Sequence, residues 1–161
     1  ADRDWSSDVC SSDLLSPTGD DVTWGDMVSS SGYYVGEVTK EKIRNGRGAY
    51  SWDVGVTYIG YWINNISEIR GTVIKGDEVN YKGEFKNGKK HGKGIYYFNT
   101  GDRYEGDFKE DRREGKGCYY WKCGSRWEGI FVDGKLHGKG KYYPESGNPF
   151  DCEYANGVLL N

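Results

Sequence analysis

The chain is poor in the residues that build helical cores and membrane spans. Among 161 residues there is one methionine, few leucines and no long apolar run, so neither a helical bundle nor a transmembrane helix is expected. Cysteine is scarce as well. Setting aside Cys10 in the N-terminal segment, Cys118, Cys123 and Cys152 remain. An odd, scattered set is not a secreted disulfide framework and points to a reducing, intracellular compartment, in the cytoplasm or at the cytoplasmic membrane face. Excess charge is also missing. Residues 1–14 hold Asp2, Asp4, Asp8 and Asp13 against Arg3, and without them the chain carries 21 cations and 21 anions. That balance argues against a general nucleic-acid binder.

What the chain has is glycine and aromatic rings, 25 of each, and they recur in register. Units begin at Tyr34, Tyr58, Tyr81, Tyr104, Trp127 and Phe150, 23 or 24 residues apart. The third position of each unit is glycine at Gly36, Gly60, Gly83, Gly106 and Gly129. The fourteenth is Gly71, Gly94, Gly117 and Gly140, with Gly48 displaced by one inserted residue, and a further glycine closes most units (Gly55, Gly101, Gly124, Gly147). The result is five tandem units and half of a sixth, the signature of a repeat architecture. Two units depart from the pattern. The one from Tyr58 carries Asn65, Ile69 and Glu78 where its successor has Gly88, Gly92 and Gly101, and the last carries Cys152 at the third position.

The pattern Y-x-G-x-F/W followed by G-x-G-x-Y, best seen in "YKGEFKNGKKHGKGIYYFNTGDR" from Tyr81 to Arg103, resembles the MORN repeat (membrane occupation and recognition nexus). The resemblance covers residues 34–161 and implies a scaffold for proteins or membranes. Residues 4–14, "DWSSDVCSSDL", resemble instead the translation of a sequencing-library adaptor. Residues 1–14 are therefore read as a disordered, non-native segment with the natural N-terminus missing. Residues 15–33 are read as an edge-capping segment and 34–161 as the repeat domain.

Each unit reads as a β-hairpin. Alternation places Tyr81, Gly83 and Phe85 on one face, with Gly92, Gly94, Tyr96 and Phe98 on the same face of the return strand. Lys86–His91 are expected to form the loop, with Asn87-Gly88 as the turn signal. If Phe85 faces Gly92, then Gly83 faces Gly94 and Tyr81 faces Tyr96. Repetition then gives an all-β fold, one elongated, twisted antiparallel sheet of tandem hairpins. Ten to twelve strands are expected between residues 34 and 154, with Phe150–Tyr154 as the last. Paired glycines floor a furrow walled by Trp62, Tyr81, Phe85, Tyr96 and Tyr104, then Phe108, Tyr119, Trp127, Phe131 and Tyr142. These rings are structural first, and the furrow as a whole is the candidate partner-binding site.

Catalytic, metal and cofactor sites are not legible. His91 and His137 hold one unit position two repeats apart, roughly 19 Å at ~4.8 Å per strand, too far to share a metal ion. Cys118 and Cys123 lack two further ligands for zinc. "GKLHGKG" lacks the spacing of a phosphate loop and recurs as "GKKHGKG", so it is repeat grammar. Glu84, Glu105 and Asp107 fall on the polar face.

One charge pattern stands out. Lys89, Arg112 and Lys135 share one unit position, and Lys93, Lys116 and Lys139 share another. Lys86, Lys90, Lys109 and Arg113 are expected to thicken the same edge into a basic stripe at ~10 Å intervals. Such lysines keep loops soluble and sheet edges unpaired; they are also suited to anionic lipid. The leading reading is a non-enzymatic scaffold that holds a partner protein segment in the furrow. The alternatives are the repeat region of a larger enzyme (by the resemblance, of phosphatidylinositol phosphate kinase or histone-lysine methyltransferase type) and a peripheral lipid-binding module. Self-association through the sheet edges is a further possibility.

Overall fold

The computed structural model describes residues 22–160. The adaptor-like segment, and the reading of residues 1–14 as disordered, lie outside the described residues. Thirteen strands form one antiparallel sheet in strict chain order, with no helix among the described residues. They are β1 (Thr23–Ser29), β2 (Gly32–Val38), β3 (Arg44–Trp52), β4 (Val56–Ile63), β5 (Ile66–Lys75), β6 (Glu78–Lys86) and β7 (Lys89–Tyr97). Then follow β8 (Arg103–Lys109), β9 (Arg112–Tyr120), β10 (Arg126–Val132), β11 (Lys135–Tyr143), β12 (Phe150–Ala155) and β13 (Val158–Leu159). Eleven strands, β2 to β12, span residues 34–154, within the expected range.

The register explains the glycines. Gly25, Gly36, Gly48, Gly60, Gly71, Gly83, Gly94, Gly106, Gly117 and Gly129 face one another in succession from β1 to β10. At the far end Gly140 faces Cys152. Across this line lies the first ring of each unit. Tyr81 covers Gly83 and Gly94, Tyr104 covers Gly106 and Gly117, and Trp127 covers Gly129 and Gly140. A methyl group at any of these glycines would sit closer than 3.0 Å to an atom of the covering side chain, a ring atom or the phenol oxygen. The phenols finish flush with the backbone, donating to carbonyls three residues on: Tyr34 to Glu37 (2.9 Å), Tyr58 to Tyr61 (3.1 Å), Tyr81 to Glu84 (2.8 Å) and Tyr104 to Asp107 (2.8 Å). Trp127 has no hydroxyl, and its buried Nε1 reaches no backbone carbonyl among the described residues, lying instead by the Cys152 thiol.

The fifth ring of each unit locks the first rings together. Tyr58 meets Trp62 and Phe85 edge-on at 5.1 and 5.0 Å, Tyr81 meets Phe85 and Phe108 at 5.2 and 5.1 Å, and Tyr104 meets Phe108 and Phe131 at 5.2 and 4.7 Å. Each such T-shaped pair contributes about 0.5–1.5 kcal/mol beyond area burial. Each first ring thus meets the fifth-position ring of its own unit and that of the next, so this herringbone of rings is the core of a single-layer protein.

Turn chemistry sets the details. Asn87 and Gly88 have φ of 51° and 77°, and Lys86 pairs directly with Lys89. That is the two-residue turn with both central residues left-handed, whose twist matches the strands. The expected six-residue loop is therefore corrected: Lys89, Lys90 and His91 belong to β7. Phe85 faces Lys90, not Gly92, because β7 fits three residues (His91–Lys93) against Glu84 alone. Gly92, at φ 61°, faces Phe108 of the next unit. The equivalent residue in the irregular unit is Ile69, at φ 64° and 52% exposed. A β-branched side chain is strained there. Successive turns are stitched by backbone bonds, Gly88 N–H to Ser67 O (3.0 Å), Asp111 to Lys90 (3.0 Å) and Gly134 to Arg113 (3.0 Å).

The ends differ in extent. β1 lies along β2 as an edge strand. The expectation that Phe150–Tyr154 is the last strand is corrected, because the chain turns at Asn156-Gly157 and β13 pairs with Tyr154 and Ala155.

Three outcomes follow for stability. Gly94→Ala should cost about 1–3 kcal/mol by collision with Tyr81, read from the denaturant midpoint. Ile69→Gly should gain about 0.5–1 kcal/mol, because relief of left-handed strain exceeds the entropic cost of glycine; a fall in midpoint would contradict it. Burial raises the phenol of Tyr34 to about 12 and those of Tyr58, Tyr81 and Tyr104 further above the ordinary 10.0. A phenol whose pKa is raised in the folded state contributes stability that is complete below the unfolded value and lost as pH climbs through the folded one. Thermal stability should therefore fall steeply above about pH 10. Phenolate absorbance from the buried tyrosines should appear only as the sheet signal in circular dichroism disappears.

Candidate interaction surfaces

The sheet has a ring face and an opposite face of different chemistry. Of the ten furrow candidates, Trp62, Tyr81, Phe85, Tyr104, Phe108, Trp127 and Phe131 are buried, none more than 8% exposed. They are consumed by the core and present little surface to a partner. Tyr96, Tyr119 and Tyr142 are half-buried. They stand in a second row on the ring face: Tyr96 to Phe98 (4.8 Å between centroids), Phe98 to Tyr119 (5.5 Å), Tyr119 to Trp121 (5.0 Å), Trp121 to Tyr142 (5.7 Å) and Tyr142 to Phe150 (5.3 Å). Phe98, Trp121 and Phe150 complete the row and were absent from the sequence-derived set. The signal was available, since Phe98 and Trp121 hold the same unit position.

The row is held from beneath by polar contacts. Tyr119 donates to the Asp102 carboxylate at 2.8 Å, and the backbone N–H of Lys122 donates to the same group at 2.9 Å. These bonds, the Lys122 amide first, hold the Asp102 carboxyl below the usual range. Burial, with Asp102 adding to it, raises the Tyr119 phenol to about 12. The ring therefore stays a neutral donor.

Three cations lie over rings on this face. The Arg44 guanidinium is 4.4 Å from the Trp62 ring centre and 5.0 Å from that of Tyr50. Lys90 Nζ lies 5.7 Å from Tyr81 and 5.9 Å from Tyr96. Arg113 lies between 5.2 and 5.8 Å from Phe98, Tyr104, Tyr119 and Phe131 and donates to the Gly134 carbonyl. Each is close enough to feel the ring quadrupole.

The anticipated basic stripe is thereby corrected: it is not one stripe. Lys90 and Arg113 turn onto the ring face, because a two-residue turn brings their positions into the strand opposite Phe85 and Phe108. Lys93, Lys116 and Lys139 lie on the opposite face, where Lys93 meets Asp107 at 2.5 Å. Lys86, Lys89, Lys109, Arg112 and Lys135 flank the turns. There Lys89 pairs with Glu110 (2.6 Å) and Arg112 with Asp133 (2.6 Å), each joining one unit to the next. Exposed pairs of this kind contribute little stability, but they offset the positive field of the turn edge. Lys86, Lys109, Lys116, Lys135 and Lys139 make no ion pair among the described residues.

The opposite face also carries an alternating row that the sequence reading did not single out. Arg103 stacks 3.7 Å from the Tyr120 ring centre, and Arg126 stacks 3.7 Å from Tyr143. Among the described residues, no three His, Cys, Asp or Glu side chains cluster as a metal site would require. No helix of the described residues is long and apolar enough to cross a membrane.

No curated protein matches the chain. The MORN-repeat family profile matches residues 81–103, 104–126 and 127–148, units that start at the same Tyr81, Tyr104 and Trp127 whose rings cap the glycine line. Ring, glycine pair and period thus coincide over these hairpins, and residues 81–148 are three consecutive MORN repeats.

Proposed function

We propose that the protein is a non-enzymatic scaffold whose ring face holds a segment of a partner protein. MORN repeats generally mediate protein or membrane interactions and form a repeat module rather than a catalytic fold. The observation that carries the finer reading is the half-buried row from Tyr96 to Phe150. Its rings are not needed to cover the glycine line, yet they stand in continuous contact along three repeats and into the terminal half unit. Aromatic rings fixed at both edges present large apolar area with little rotamer entropy left to lose, the property of binding anchors. Arg113 beside Phe98 and Tyr119 adds a cation at the margin, which favours a segment carrying apolar and acidic side chains.

The second reading is contact with anionic lipid through the turn-edge cations. Pairing of Lys89 and Arg112 with Glu110 and Asp133 favours the protein-partner reading over it.

Selection of displayed peptides on the wild-type protein tests the proposal, with counter-selection on a Phe98→Ser, Trp121→Ser, Tyr142→Ser variant. Enriched peptides should carry acidic and apolar residues, bind the wild type and lose at least about tenfold in affinity for the variant, as removal of anchor rings predicts. Peptides that bind both proteins equally would contradict it. So would salt-sensitive sedimentation with anionic but not neutral vesicles that is abolished by Lys89→Glu, Arg112→Glu, Lys135→Glu.

A further inference from the structure

At the β1–β5 end of the ring face, away from the Tyr96–Phe150 row, a cleft of about 390 Å³ opens between Tyr34, Tyr50, Arg44 and the turns on either side. Its chemistry differs from the rest of the face. Three hydroxyls converge at one wall: Tyr50 Oη lies 2.7 Å from Ser29 Oγ and 2.9 Å from Ser31 Oγ. Arg44, Lys42 and Asn65 line the same cleft, with the Arg44 guanidinium 5.0 Å from the Tyr50 ring centre.

Arg44 is the unusual group. Its Nε donates to Asn65 Oδ1 at 3.2 Å and one terminal nitrogen donates to Asn65 O at 3.1 Å. That fixes the fork in the plane above Trp62 and Tyr50 and uses two of its five donors. Among the described residues no carboxylate pairs with it, and none lines the cleft. Glu37, the acid on β2 nearest in sequence, pairs with Arg47 on the opposite face. The matching position differs in the later repeats: Lys90 reaches Asp111 at 3.2 Å, Leu136 carries no charge, and Arg113, which likewise pairs with no carboxylate among the described residues, lies beside Tyr119, whose hydroxyl is taken by Asp102. A half-desolvated guanidinium with spare donors, an ammonium and hydroxyl groups form a site for an oxyanion; no acid lines the cleft, and the Asp53 charge acts on Tyr50 from outside it.

We propose that this cleft binds a phosphate group, free or as a small monoester. Arg44 offers a two-pronged contact, Lys42 a point charge, and the Ser31 and Tyr50 hydroxyls bond the remaining oxygens, the Ser29 proton being committed to the Gly32 carbonyl at 3.1 Å. Four oxygens arranged tetrahedrally can engage more of these donors at once than the two oxygens of a planar carboxylate. The volume left over admits the ester substituent. The site is independent of the partner-binding row, and its presence or absence does not bear on that reading.

The test is a titration of the full chain at constant ionic strength, following the Arg44 Nε–H and Trp62 indole N–H resonances. The probes are inorganic phosphate, glycerol 3-phosphate and acetate. Saturable shifts at both reporters are expected with phosphate or with its monoester. The tighter of the two identifies the source as the free ion or a monoester such as a lipid headgroup carries. Lys42→Glu, at an exposed loop position, should weaken binding at least about tenfold, as loss of a charge-assisted bond predicts. Arg44→Lys should weaken it too, because charge is kept and the fork is lost. Three results would overturn the proposal: shifts that do not saturate, acetate binding as tightly as phosphate, or equal shifts at the Lys89 and Arg112 turns.

Discussion

An aromatic ring laid flat across a pair of glycines is the contact on which the rest of this protein depends. A single sheet has no second layer to bury its surface, so its apolar groups must cover the sheet itself. A tyrosine can lie on the backbone only where no Cβ rises beneath it, and the glycine line provides that floor from β1 to β10. The phenol then donates to a backbone carbonyl at the far side of the pair, as Tyr81 does to Glu84, so the polar end of the ring is satisfied without reaching water. Each ring also touches the fifth-position ring of its own unit and of the next. The same contact therefore makes the hairpin and joins hairpins, and a solenoid follows.

That arrangement assigns the two faces their chemistry. The first and fifth rings are used up in the core, which leaves the row from Tyr96 to Phe150 and the cations seated above it as the accessible part of the ring face. The opposite face carries alternating positions free of any packing duty, and it fills with ion pairs and Arg–Tyr stacks. Charge that appears concentrated when tallied by unit position is thus distributed over a face, an edge and a face. Part of it is neutralised by acids of the next turn, 21 residues on in both Lys89–Glu110 and Arg112–Asp133.

Much of this is legible in the residues. Period and alternation yield the hairpins, the single sheet, and the pairings Tyr81–Tyr96 and Gly83–Gly94. They do not yield the surplus residues at His91–Lys93, because a bulge depends on backbone twist that side-chain alternation does not encode. That one feature accounts for the overlong loop, the wrong partner for Phe85, and the placement of Lys90 and Arg113 at a tip when they lie over rings. Ile69 was legible as an anomaly, standing where a neighbouring unit has glycine, and its φ of 64° gives the anomaly its physical meaning. Which rings stay open could not be read from composition, since Tyr81 and Tyr96 are the same residue type on the same face. Burial separates them only once Tyr81 is seen to lie on glycine. The cleft at Arg44 was invisible for another reason: Ser29 with Ser31, Tyr50 and Asn65 meet there from three separate segments.

The central claim, that the first ring of a unit and its glycine pair form one energetic entity, is tested most directly by a double-mutant cycle between Tyr81 and Gly94. Denaturant unfolding of Tyr81→Leu, Gly94→Ala and the double variant gives the coupling. If the ring is what forbids a side chain at residue 94, the methyl group is better tolerated once the ring is trimmed. The double variant should then be more stable than the sum of the single effects by about 1 kcal/mol or more. Strict additivity of the two changes would contradict the account.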